Sequence, residues 1–138
     1  MIITELKVGD NAFFEKTISE FDVYQFAGIT GDLNPAHINS VSAKKSIFKD
    51  RIAHGILLGG FISTVLGMKL PGPGTIYLEQ DLKFKRPVYF GDTIKAMVEV
   101  KEIKAEKNIV ILDTKCINQD GVVVVEGYAV VMAPKEDL

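Results

Sequence analysis

Cysteine is nearly absent from this chain. Its one thiol, Cys116, leaves no internal disulfide to form, and no zinc-type Cys/His spacing is present. A reducing cytoplasm is the natural expectation for the compartment. Charge of either sign is not in excess: sixteen basic residues stand against eighteen acidic ones, a formal −2. Such a balance gives no general attraction to nucleic acid or to an anionic membrane, so any phosphate recognition has to be local. Long hydrophobic runs are missing as well. The most apolar stretch, GILLGGFISTVLGM at 55–68, has 14 residues, short of the roughly 18 or more that span a bilayer. The opening MIITELKVGDNAF carries Glu5 and has no apolar run ending in a small-residue cleavage site, so it does not read as a signal peptide.

What is present suffices for one packed domain. Of 138 residues, 47% are apolar and 25% charged, near the average for soluble globular proteins. With no internal repeat and no low-complexity linker, the chain reads as a single domain over 1–138. Residues 11–17, NAFFEKT, read as a first strand. Ser19, with Asp22 three residues on, predicts a capped helix that ends near Thr30-Gly31. Gly31-Asp32 and Asn34-Pro35 read as turns, and a short second helix is expected over 40–47, carrying Lys44 and Lys45. The stretch 55–68 reads as a helix apolar all round, hence one buried on all sides. After the LPGPG loop, four strands are expected at 75–86, 93–103, 108–118 and 122–133, the last of them lying centrally. One long apolar helix and a run of antiparallel strands bury each other most economically when the sheet curls around the helix, an α+β arrangement of the hot-dog type.

The chemistry-bearing residues fall in two places. In 26–37, FAGITGDLNPAH, the strong proton-handling groups are Asp32 and His37, the latter one of two histidines. Five positions apart they would not share a helix face, but a Gly/Asn/Pro-rich turn can fold back so that both converge on one water. Imidazole, with an ordinary pKa of about 6.5, gives and takes protons near neutrality. On spacing alone a blander reading stands beside this one: Asp32 caps the chain after the first helix, and His37 is a satisfied histidine. The second place is Ala53-His54-Gly55, where the apolar helix begins. The first N–H groups of a helix lack internal partners and lie at the positive end of its dipole. Gly55 would let a ligand oxygen approach such an N–H, although an ordinary loop glycine reads the same way. His54 reads as structural, having no acidic neighbour in sequence, and Ser63 as a helical hydroxyl bonded back to its own backbone.

Together the segments resemble a known family. FAGITGDLNPAH is similar to the hydratase-2 motif of the MaoC-like (R)-specific enoyl-CoA hydratases, and RIAHG at 51–55 resembles their second signature. LPGPGTIYL and FKRPVYFGD resemble the same family's strand and turn pattern, though the latter turn is common to many hot-dog proteins. The likeness runs from about residue 10 to 133, with Ala36 standing where the family often has a larger apolar residue. The resemblance implies that Asp32 and His37 activate water and return a proton, and that Gly55 N–H holds a thioester oxygen. It further implies that Asn34 supports the motif, that Ser63 lies next to the pair, and that two copies join edge to edge as a homodimer. The implied reaction is reversible addition of water to a trans-2-enoyl-CoA, giving (R)-3-hydroxyacyl-CoA, with no metal or redox cofactor. CoA phosphates call for a basic patch, for which Lys83, Lys85 and Arg86, or Lys44 and Lys45, are candidates. Alternatives are a dehydratase acting on acyl carrier protein, a hot-dog thioesterase and a non-catalytic acyl-binding domain. Acyl-chain length is expected to depend on side chains such as Leu66 and Val130 along the tunnel.

Overall fold

Alternating apolar residues turn one face of the longer strands inward, and a computed structural model of residues 1–138 shows the result as one antiparallel sheet. The strands are β1 (Asn11–Thr17), β2 (Ile76–Gln80), β3 (Lys83–Phe84), β4 (Thr93–Lys104), β5 (Ile109–Ile117) and β6 (Val123–Met132). They pair in the order β1-β4-β5-β6-β2, with β3 also on β6. Ile94, Ala96, Val98 and Val100 of β4 are buried in strict alternation, as are Val110, Leu112, Thr114 and Cys116 of β5. They meet the helix α4 (Gly55–Met68), which contributes Leu58, Phe61, Ile62, Val65 and Leu66 to a buried cluster of 23 residues. Each such side chain contributes about 1.5–3 kcal/mol by leaving water. The sheet thus wraps a single helix, the α+β hot-dog arrangement.

The helix α1 (Glu20–Thr30) starts where the capping residues place it. Asp22 N–H donates to Ser19 Oγ at 3.1 Å, and Ser19 N–H donates to Asp22 Oδ2 at 3.0 Å. Burial works against the Asp22 charge, but the Ser19 N–H and Lys16 outweigh it and hold the carboxyl below its ordinary range. Gly31, at φ 82°, closes the helix in the left-handed region that glycine favours.

Five elements differ from expectation. Asn34-Pro35 opens a helical turn, α2 (Pro35–Ile38), because Asn34 Oδ1 accepts from Ala36 N–H at 3.1 Å and proline suits a first helical position. The next helix, α3 (Ser40–Lys44), is shorter than 40–47 and is capped by Asn39. Residues 75–86 do not form one strand: the register against β6 shifts between Tyr77 and Glu79, and the strand is interrupted at Asp81-Leu82, where Asp81 N–H still bonds Tyr128 O at 2.8 Å. Finally, α4 is not covered on all sides, since Ile56, Gly60, Ser63 and Met68 share an exposed face. The strand β6 has partners on both edges, although β5 is the middle strand.

Gly127 sits under the step between β2 and β3, where an added Cβ would overlap the Asp81 carbonyl. Gly127→Ala should therefore cost about 1–3 kcal/mol through overpacking. Gly28→Ala, in α1 with open space around it, should stabilise by up to about 1 kcal/mol. Urea unfolding of both variants checks the pair.

Candidate active site

The chain after α1 runs through exposed residues 31–34 into α2, and it is bent by its own side chains. Asp32 N–H donates to Thr30 Oγ1 at 3.2 Å, and Asn34 N–H donates to Asp32 Oδ1 at 3.2 Å. Asn34 then caps α2, so it supports the segment at both ends. Three residues on, His37 is turned inward and is only 9% exposed. Its Nδ1 lies 2.7 Å from the Ile52 carbonyl. A carbonyl cannot donate, so Nδ1 carries the proton and Nε2 keeps a free lone pair.

The segment 51–54 is laid against the turn before β4. Ile52 bridges Tyr89, Ala53 N–H donates to Val88 O at 2.7 Å, and Ile52 N–H donates to Ala36 O at 3.0 Å. Arg51 ties this segment to α1. Its guanidinium bonds Tyr24 Oη at 2.7 Å, pairs with Glu20 at 3.4 Å and lies over the Phe90 ring, while Tyr24 donates to Ile38 O. Sequence reading missed this clamp, because its members come from four separate segments.

His54 follows, 2% exposed, and precedes the open N-terminus of α4 with no side chain capping it. Its ring stacks on that of His37 with centroids 3.8 Å apart. The expectation that it has no acidic neighbour is corrected in space. His54 Nε2 lies 3.0 Å from Asp32 O and 3.9 Å from Asp32 Oδ2.

One ligating atom from each of Asp32, His37 and His54 lies within 4.8 Å of the other two. Hydrogen bonds of about 2.7–3.0 Å from two such atoms can meet at one water. A divalent metal, at about 2.0–2.2 Å from each ligand, needs lone pairs that converge. Rings stacked 28° from parallel aim theirs side by side, and a nitrogen of each already faces a carbonyl. The set fits a water better than a metal ion.

The Asp32 carboxylate is half exposed and faces a cavity of about 550 Å³, whose wall also includes His37, Gly55, Leu58 and Val125. That is a normal size for a small-molecule site. Lys85 and Arg86 stand at the same cavity, Lys85 paired with Glu126 at 3.4 Å. The position of Gly55 has a second cause besides ligand approach: a Cβ there would lie 2.6 Å from Cδ1 of Phe84. Burial pushes the Cys116 thiol up to about 12, so it offers no thiolate nucleophile.

Residues 8–120 match the family model described as a MaoC-like domain. The chain belongs to the MaoC-like family. It is 53% identical to a protein of Rhodospirillum rubrum named (R)-specific enoyl-CoA hydratase, over 94% of this chain and 90% of that one. An Aeromonas caviae protein of the same name is 40% identical, covering 97% of this chain and 100% of its own. The unliganded R-hydratase of Pseudomonas aeruginosa superposes with a TM-score of 0.94 at 47% identity, over 99% of this chain and 88% of that structure.

Several residues expected at the MaoC-like site lie elsewhere. Ser63 is exposed on the open face of α4, eight residues and about 12 Å along the helix from Gly55. Lys83 points away from the cavity, where Asp81 pairs with it at 2.6 Å and holds its ammonium above the ordinary range. Lys44 and Lys45 do not line the cavity, and neither do Leu66, buried in the core, and Val130. Leu58 and Val125 line it instead.

The Gly55–Phe84 contact can be measured. Gly55→Ala and Phe84→Ala should couple by about 0.5–3 kcal/mol in a double-mutant cycle. The expected sign is that the alanine at 55 costs less once the ring is gone, as read from urea midpoints of the three variants.

Proposed function

We propose that this MaoC-like chain is an (R)-specific enoyl-CoA hydratase, adding water reversibly to a trans-2-enoyl-CoA. The observation that carries the reading is the convergence of Asp32 and His37 in one cavity with the uncapped start of α4. His37 Nε2, left free by the Nδ1–H bond to Ile52, accepts a proton from water while Asp32 Oδ2 orients it. The water oxygen bonds to C3, and the C2–C3 π electrons move toward the thioester carbonyl. The enolate-like oxygen accepts from Gly55 N–H, a donor worth about 3–4 kcal/mol at such positions. C2 then takes the proton from the same side, which restores the thioester. The thioester itself is the electron sink, so the step calls on no metal or redox cofactor, and CoA belongs to the substrate. Arg86 and Lys85 line the cavity and are the basic side chains this reading assigns to CoA phosphates.

Purified protein with crotonyl-CoA should lose the conjugated-thioester absorbance without releasing thiol, and the product should be (R)-3-hydroxybutyryl-CoA. Asp32→Asn and His37→Ala should each lower the rate about 10²–10⁴-fold, Asp32→Asn with little change in melting and His37→Ala with some loss of it, since that buried ring stacks on His54 and bonds the Ile52 carbonyl. Thiol release would instead mean a thioesterase, a reading that α4 disfavours by carrying no Asp or Glu. Loss of neither signal would leave an acyl-binding domain. An acyl-carrier substrate of the same acyl group, compared for kcat/KM, separates the dehydratase alternative.

The same reading includes a homodimer in the cytoplasm. Its support is the edge strand β2, where Ile76, Tyr77 and Leu78 are all exposed, together with the open face of α4. An exposed apolar edge is a ready pairing surface, and a second copy covers it without new chemistry. Leu78→Lys should shift the chain from dimer toward monomer in light scattering, whereas Lys44→Glu, remote from that edge, should not.

A further inference from the structure

Residues 31–34 present the Asp32 carboxylate on an exposed segment whose hydrogen bonds are nearly all internal or to the adjoining helices. The exception reaches across 22 positions. His54 Nε2 lies 3.0 Å from the Asp32 carbonyl, and because a carbonyl only accepts, the nitrogen must carry the hydrogen. The other nitrogen, Nδ1, is then a bare acceptor, buried without a partner. A side chain kept only to fill that space would be better as an apolar ring, since an unmet buried acceptor costs stability. The donor on the opposite edge is what an apolar ring lacks.

The same imidazole has two further contacts. One face stacks on His37 at 3.8 Å, and Phe26 meets it edge-on at 4.9 Å. Its own backbone is the cap residue immediately before Gly55. One buried ring therefore touches the residue bearing the carboxylate, the face of the second imidazole and the start of the helix that offers the amide.

We propose that His54 is a positioning residue for this reaction. Its Nε2–H anchors the Asp32 carbonyl, and its ring face sets the plane of His37, so both groups are registered against the Gly55 amide. It does not touch the reacting atoms. The assignment rests on the hydratase reading for its kinetic consequence, but not for its geometry.

Two variants separate the functions of the ring. His54→Phe keeps the stacking face and removes the donor. His54→Gln keeps an N–H at a comparable reach and removes the ring. With crotonyl-CoA, H54F should lose about 10²-fold in kcat, the effect expected of an ångström of misplacement, with KM little changed. H54Q should recover a large part of that loss. Wild-type kcat in folded H54F overturns the proposal, and an H54Q no faster than H54F overturns the Nε2–H anchor as the larger of the ring's two contributions. A residue that only supports packing would lower melting temperature in both variants and leave kcat intact.

A second measurement does not depend on activity. The chain has two histidines, so ¹⁵N-histidine NMR of the wild type and H54F (or H54Q, should H54F fail to fold) assigns both rings. His54 is expected as the Nε2–H tautomer and His37 as Nδ1–H, with His37 resonances shifting when its stacked neighbour is replaced. A His54 protonated on Nδ1 overturns the anchor. Should the wild type fail to hydrate crotonyl-CoA while both tautomers appear as stated, the hydratase reading falls and the anchoring contact stands.

Discussion

The hydrogen bond from His37 Nδ1 to the Ile52 carbonyl, 2.7 Å long and largely buried, is the contact on which the site's chemistry turns. Without it the imidazole could hold its proton on either nitrogen, and half of those states would face the cavity with a donor instead of a base. The carbonyl removes the ambiguity, but only because Ile52 is itself fixed. Its N–H is held by Ala36 O, its backbone bridges Tyr89, and the following Ala53 is bonded to Val88. Val88 is buried in the core that the sheet and α4 share. A chain of backbone bonds thus carries the rigidity of the core to one ring nitrogen. Side-chain identity at 52 matters less to this function than the path of the backbone.

What sequence could reveal followed from periodicity and capping, which are local. The limits of β1, α1 and α4 were legible because alternation, the Ser19/Asp22 cap and an apolar run each act within a few residues. Asp32 and His37 were legible as a pair of suitable chemistry, and the turn does bring them together. Illegible features depended on distant partners. The break after Gln80 lies over Gly127, more than forty positions on, whose missing side chain admits the Asp81 carbonyl. His54 has no acid near it in sequence because Asp32 lies 22 residues back; Lys83 is different, since the Asp81 that pairs with it is only two positions away. Asn34-Pro35 carries a double meaning in any sequence: the same residues that make a turn also start a helix.

The apolar character of α4 shows how one property can answer to two demands. Five of its residues fill the core, which accounts for the inward side. The remaining side, with Ile56, Gly60, Ser63 and Met68, is exposed in a single chain although composition implied burial all round. A helix without a polar face is an economical element only when every face is covered. The edge strand β2, exposed on both of its sides, makes the same demand. Ser63 belongs to this uncovered surface, so its expected place beside the pair cannot be met through the cavity of one chain.

Gly55 gathers these constraints at one position. Chemistry asks for an unobstructed N–H at the positive end of α4, where no side chain caps the helix. Packing asks for the same residue independently, because the Phe84 ring occupies the volume of a side chain there. Phe84 in turn stands on β3, the short strand that exists because the sheet edge is broken over Gly127. Glu79, Gln80, Lys83 and Phe84 keep one register on β6, so the ring stands where the ladder puts it, and a glycine at 55 is what accommodates it at the start of α4.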